Sequence, residues 1–125
     1  MLECIKTGTV AICEHCGGYA KPDVVFFGEN LPVKFFTDSM KVKEADLLIV
    51  MGTSLVVFPF AALVHETSKS CPRVLINRDL SGDIKPEGEN KRDMFLQGDS
   101  DATCLKIMEL AGWMEDYNAL QSTDN

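Results

Sequence analysis

Long apolar runs are missing from these 125 residues. Leu47–Met51 is the length of a strand, far short of the roughly 18–20 residues that cross a bilayer, so a membrane role is not expected. An excess of positive charge is missing as well. Twelve Lys and Arg stand against 19 Asp and Glu, a net charge of −7, and the densest cationic stretch, Lys34 to Lys43, itself contains Asp38. Phosphate-backbone binding needs clustered cations, so direct nucleic-acid binding is not expected either. Met1-Leu2-Glu3 has neither the basic start nor the apolar stretch of a secretory leader. Five cysteines without such a leader predict an intracellular, reducing compartment rather than a disulfide scaffold. Neither G-x-G-x-x-G nor G-x-x-x-x-G-K-[ST] occurs, so the usual phosphate-cradling loops are absent from this chain. No second Cys-x-x-Cys, Ser-His-Asp order or paired-carboxylate signature occurs either.

What is present suits one soluble globular domain: 46% apolar and 25% charged residues in a chain of ordinary domain length. Residues 1–23 are turn-rich and carry three of the five cysteines. Val24–Phe27 is a β-branched and aromatic run stopped by Gly28, which predicts a strand or extended segment. Pro32 opens a stretch to Ala45 that allows one modest helix. Three segments then repeat a polar entrance, an apolar run and a polar or glycine exit. Leu47–Met51 stops at Gly52-Thr53-Ser54, Val74–Ile76 at Asn77-Arg78-Asp79, and Met94–Leu96 at Gly98-Asp99-Ser100-Asp101. Unalternating runs predict strands buried on both faces, as in parallel sheets. Pro59 is placed to start a helix through Phe60, Leu63, Val64 and Thr67. A last helix is capped by Asp99, Ser100 or Asp101, faces the core through Cys104, Ile107, Met108 and Ala111, and is closed by Gly112. Residues 80–91 predict a polar surface loop, Trp113 a cover over the end of the last helix, and the tail from Glu115 a frayed end. Strand alternating with helix makes the fold class α/β with a parallel sheet.

Ligands of open parallel sheets bind at the carboxyl ends of the strands. Those ends here carry Gly52, Thr53 and Ser54, then Asn77, then Asp99 and Ser100: small or polar residues suited to half of a nucleotide crevice, or to caps and turns alone. Cys13-Glu14-His15-Cys16, followed by Gly17-Gly18, has the spacing of two zinc ligands, whereas a closed tetrahedral site wants four. Cys4 and His15 are possible partners, although His15 reads as a passenger more readily than as a ligand. Redox use of the pair is disfavoured, because such motifs open a helix and Gly17-Gly18 does not suit one. Cys71 predicts an incidental buried thiol, Cys104 a core residue, and His65 a surface or satisfied histidine. Met40, Met51, Met94 and Met108 read as packing.

Cys13-x-x-Cys16-Gly17-Gly18, followed by Lys21-Pro22-Asp23-Val24-Val25-Phe26-Phe27-Gly28-Glu29-x-Leu31-Pro32, resembles the sirtuins, NAD-dependent protein-lysine deacylases. Ala45-Asp46 through Leu55, Pro59-Phe60, Leu75-Ile76-Asn77 and Gly98-Asp99 agree, so the likeness runs from about Gly8 to Trp113. It is closest to the branch of cytosolic and mitochondrial deacetylases, and Ile76–Leu80 leans to the mitochondrial type. A cytoplasmic or nuclear location, with mitochondria as the alternative, follows from the same likeness.

The resemblance implies the C-terminal half of a Rossmann-like parallel sheet with part of a small zinc-binding module. Residues 1–113 would be a partial catalytic domain, with 1–23 a remnant of the zinc module, 24–113 half of the Rossmann-like domain, and 114–125 a polar tail. It also implies NAD contacts by Gly52, Thr53 and Ser54 on the nicotinamide-ribose and phosphate side. Asn77, Arg78 and Asp79 would hold the adenosine ribose, and Ser100 would meet adenine through its backbone. Val25, Phe27, Gly28 and Glu29, with Leu55 and Val57 opposite, would bind an acylated-lysine peptide, which extended backbone can receive as an added strand. Cys13 and Cys16 would supply two of four structural zinc ligands. The family's glycine-rich loop, His-Gly base and first Cys-x-x-Cys match nothing in these residues. The isolated polypeptide is therefore expected to be inactive and no catalytic residue is assigned; a non-catalytic regulatory or interaction fragment is the alternative, and a zinc-knuckle binding module a weaker one.

Overall fold

The computed structural model describes residues 1–87 and 91–123, which divide into two compact units, Met1–Phe36 and the chain from Thr37 onward. The first begins with helix α1 (Leu2–Thr7), where sequence predicts only turns. Gly8, at φ 67°, caps its end by donating to the Cys4 and Ile5 carbonyls. Strands β1 (Ala11–Ile12) and β2 (Tyr19–Ala20) pair antiparallel, Ala11 with Ala20 and Ile12 with Tyr19. The turn between them is closed by Cys13 N–H donating to Gly18 O at 2.8 Å and Gly17 N–H to Cys13 O at 2.9 Å.

Val24–Phe27 forms no strand, which corrects the first alternative for that segment. A strand needs a neighbour to take its backbone groups; here the local chain takes them. Phe26 N–H donates to the Glu29 carboxylate at 3.0 Å, Lys21 Nζ to Val24 O at 2.8 Å, and Glu29 N–H to Phe26 O at 3.0 Å. No residue of this unit is buried. Its organisation is local hydrogen bonding around turns.

Helix α2 (Val33–Ser39) and a 3₁₀ turn over Met40–Glu44 occupy the stretch predicted as one modest helix after Pro32. The second unit is built on strands β3 (Leu48–Met51), β4 (Arg73–Asn77) and β5 (Asp93–Gln97), parallel and in the order β3-β4-β5. Val50 lies in register with Leu75, and Leu75 with Phe95. That face packs with Leu48, Leu55, Ala61, Val64 and Ile84 into the core. Complete burial of Leu75 alone contributes about 1.5–3 kcal/mol of transfer free energy.

Burial on both faces holds for central β4, where Leu75 and Ile76 are both buried. It fails for β3 and β5: Ile49, Met51 and Met94 remain half exposed. The unalternating pattern is that of a strand covered on two sides, and the described residues cover only part of the second face.

The segment after Pro59 is a 3₁₀ helix, Phe60–His65, with Ala61 and Val64 buried at the three-residue spacing of that helix. The connection over residues 78–92 departs from the polar surface loop of the sequence prediction. Ile84, only 2% exposed, inserts into the core, where crossovers of parallel strands more often use a helix. Residues 88–90 of that loop lie outside the described residues. The loop is anchored at the strands' entrance by a buried ion pair whose side chains are 3% and 1% exposed. Arg73 grips Asp93 through Nε (2.7 Å) and Nη2, and donates to the Val64 and Asp83 carbonyls; Lys85 N–H donates to Asp93 at 2.8 Å.

Helix α3 (Ser100–Ala111) opens with Asp99 as its N-cap, accepting from the Asp101 and Ala102 N–H groups, and closes at Gly112, φ 75°. Its Cys104 is half-buried rather than in the core, with Sγ 3.5 Å from Met51 Sδ. The expected frayed tail is instead helix α4 (Met114–Thr123). Trp113 covers little with its exposed ring, yet its N–H donates to Met108 O and its carbonyl accepts from Tyr117, joining the two helices.

Candidate functional site

The carboxyl ends of β3, β4 and β5 open into one cleft of about 590 Å³. Gly52, Thr53 and Ser54 line it after β3, Ile76 to Asp79 and Ser81 at β4, and Gly98, Asp99 and Ser100 after β5. All seven residues proposed for a dinucleotide therefore meet in one place. The parallel register explains why. Gly52 N–H still bonds Ile76 O (3.3 Å) and Gly98 N–H still bonds Asn77 O (3.0 Å), so the three chains leave the sheet at the same level.

Local rules set the shape. Gly52 turns the chain at φ 60°, a conformation that costs a side-chain-bearing residue. Leu55 adopts φ 52° with its own side chain, strain that persists because that side chain is 8% exposed in the core and its N–H bonds Thr53 Oγ1 at 3.2 Å. Asn77 Nδ2 reaches Thr53 O (3.1 Å), Asp79 O (2.9 Å) and Ser81 Oγ (3.0 Å), tying the exit of β3 to that of β4. Gln97 Nε2 donates to Arg78 O at 3.1 Å and so ties in β5. Asp99 spends its carboxylate on the first turn of α3 and places negative charge where that helix would otherwise attract an anion.

The remaining candidates are placed elsewhere. Leu55 turns its side chain inward, whereas Val57 is exposed. Val25, Phe27, Gly28 and Glu29 belong to the first unit. Phe27 is 95% exposed and Val25 is exposed as well, on a loop whose turn needs Gly28 at φ 91°. The exposed Glu29 carboxylate is engaged within its own loop: Phe26 N–H, then Lys21 Nζ at 3.2 Å, hold its pKa below the usual carboxylate value. Lys21 Nζ also sits 4.9 Å from the Phe26 ring centroid.

Cys13 and Cys16 share the β1–β2 turn. The backbone N–H of Cys16, then that of His15, then the Cys16 thiol lower the Cys13 pKa, which favours the thiolate a metal requires. Two residues thus suit zinc, but among the described residues no group of three or more His, Cys, Asp or Glu gathers to hold a metal ion. Cys4 and His15 do not complete the set.

Sequence reasoning missed Ser81. It stands in a polar loop before Gly82 like many turn serines, and its partners are set by the tertiary path of the chain. No helix of the described residues is long and apolar enough to cross a membrane.

The model of the Sir2 family matches residues 1–59. The NAD-dependent protein deacetylase hst2 of Schizosaccharomyces pombe is 41% identical over 121 residues, covering 96% of this chain and 36% of the relative. The NAD-dependent protein deacetylase sirtuin-3 of Mus musculus is 43% identical over 112 residues, covering 90% of this chain and 33% of the relative. A solved Sir2 complex with a p53 peptide and NAD+ superposes with a TM-score of 0.66 at 27% identity, over 89% of this chain and 45% of that one. The chain spans about a third of the length of the curated relatives it matches. These likenesses bear out the resemblance read from the motifs, and the three-stranded parallel sheet bears out the α/β fold.

Proposed function

We propose, from the premise that this chain is Sir2-family sequence, that it contributes the NAD-holding cleft and an acyl-peptide segment to an NAD-dependent protein-lysine deacylase. One observation carries the reading: the residue sets after three parallel strands line a single cleft. The chemistry of the lining favours a dinucleotide. Thr53 and Ser54 bring hydroxyls and N–H groups beside a glycine that admits phosphate oxygens. Asp79 and Asn77 bring acceptors for ribose hydroxyls. Asp99 keeps anions from the start of α3, so Ser100 is left for an uncharged adenine edge and the pyrophosphate for the β3 side.

In this reading Val25, Phe27, Gly28 and Glu29 of the first unit serve the acylated-lysine peptide; of the two residues expected opposite, Val57 is exposed for that role, whereas the Leu55 side chain is taken up by the core of the second unit. Exposed Phe27 and Val25 supply apolar surface, and Glu29 acts by holding the loop. Cys13 and Cys16 would hold half of a zinc site, whose metal stabilises structure and takes no part in the reaction. The compartment is intracellular. None of the chain's residues matches the family's histidine base, so the 125-residue polypeptide alone does not deacylate. The non-catalytic alternative draws on the half-exposed Ile49, Met51 and Met94, which suit a protein contact.

The test is titration of the ¹⁵N-labelled chain with ADP-ribose. Shifts at Gly52, Thr53, Asp79 and Ser100 support the reading, and saturation without them defeats it. An assay of the same polypeptide with NAD and an acetyl-lysine peptide is expected to show no turnover; measurable deacylation overturns that part.

A further inference from the structure

Ser81 lines the cleft, although no motif marks it. Its hydroxyl oxygen accepts from Asn77 Nδ2 at 3.0 Å and donates its proton to Asp79 O at 3.1 Å. Asn77 Nδ2 also reaches that same Asp79 carbonyl at 2.9 Å and Thr53 O at 3.1 Å. Carbonyl oxygens only accept, so the amide nitrogen must face them, and the orientation of Asn77 follows from its surroundings. Three atoms, Asn77 Nδ2, Ser81 Oγ and Asp79 O, close a small triangle over residues 77–81. No hydrogen bond of Asn77's side chain among the described residues uses Oδ1.

We propose that Ser81 is a positioning residue of the cleft. It staples the 77–81 turn so that Asn77 Oδ1 and the Asp79 carboxylate stand as a fixed pair of acceptors for vicinal hydroxyls of a nucleotide ribose. The inference rests on the nucleotide reading above and adds to it the residue that holds the acceptors still. Without the staple, the 79–81 end of the turn keeps the Asn77 amide and loses the Ser81 hydroxyl, while Gln97 ties the turn one residue earlier at Arg78 O, so part of the binding free energy goes into ordering Asp79. Neither Asn77 nor Asp79 is removed, and the core is untouched.

The experiment compares ADP with 2′,3′-dideoxy-ADP as ligands for the full chain and for Ser81→Ala and Ser81→Thr, by NMR titration. The unmodified chain is expected to prefer ADP. Ser81→Ala should weaken ADP by about 3- to 10-fold, the range of one ordinary hydrogen bond. It should leave the dideoxy ligand within about twofold, because the staple and the hydroxyls act as one unit and their removals do not add. Ser81→Thr, which keeps the hydroxyl, should restore ADP binding. Equal weakening of both ligands, or of neither, overturns the proposal. Failure of the unmodified chain to bind ADP at all defeats the nucleotide reading, and this inference with it. Should Ser81→Ala lose the native chemical-shift pattern, hydrogen exchange of the Asn77 side-chain amide in the unmodified chain decides. Protected protons support the staple, and protons exchanging as freely as those of an exposed asparagine overturn it.

Discussion

The two units of this chain are stabilised in opposite ways. The first, Met1–Phe36, buries no residue fully and is shaped by turns, a short hairpin of two-residue strands and the Lys21–Glu29–Phe26 cluster. The second encloses Leu75, Ile76 and Ile84 almost completely and secures its entrance with a buried ion pair. The difference lies in what each offers a ligand. The first displays exposed aromatic and aliphatic side chains on a locally tied loop. The second can hold polar groups in fixed positions, because strands that cannot shift carry them.

Substitutions separate the two regimes. The largest effect is expected at Arg73→Met, which strips buried Asp93 of its two-pronged guanidinium partner, leaving it the Lys85 N–H and Arg92 Nε at 3.7 Å, and should cost the second unit about 3–5 kcal/mol in urea unfolding. The same pair makes that unit acid-sensitive. The Arg73 guanidinium, and next the Lys85 N–H, hold the Asp93 pKa below its ordinary value. A depressed carboxyl pKa contributes stability above the unfolded value, about pH 4, and loses it as pH falls toward the folded one. The unfolding midpoint should therefore drop below about pH 4 in the unmodified chain, and that extra slope should vanish in Asp93→Asn. Ile84→Ala removes the side chain through which the β4–β5 crossover enters the core and should cost about 2–4 kcal/mol, with cleft amides perturbed through the attached 77–81 turn. A cost under about 1 kcal/mol would mean that the loop is not part of the core. Asp99→Ala should cost about 1 kcal/mol and raise exchange at Asp101 and Ala102. Glu29→Gln is expected to leave the urea midpoint unchanged and to speed exchange at Phe26 N–H alone; a shift of the midpoint would refute the local character of the first unit.

Legibility follows the same division. The three strands, a cap among Asp99, Ser100 and Asp101 and the Gly112 stop depend on short-range pattern and were readable from apolar runs and their exits; the structure selects Asp99 as the cap. The cleft residues were readable too, since parallel strands bring their carboxyl ends to one side. Val24–Phe27 misled because β-branched and aromatic composition signals a strand only where a partner strand exists. Ile84 was hidden as a single apolar residue among polar ones, without a period to reveal it. Helix α4 was missed because its polar composition gives no stripe to read, and its start is set by the Trp113 hydrogen bonds.

By itself the sequence determined the α/β class, the three exits that line the cleft and the likeness to the Sir2 family, because each resides in contiguous residues. Only the tertiary structure decided that Ile84 stands in for a crossover helix, that Arg73 and Asp93 seal the strands' entrance, and that Ser81 joins Asn77 and Asp79. Those pairings depend on where the backbone returns in space, and a linear order of side chains carries no such coordinate.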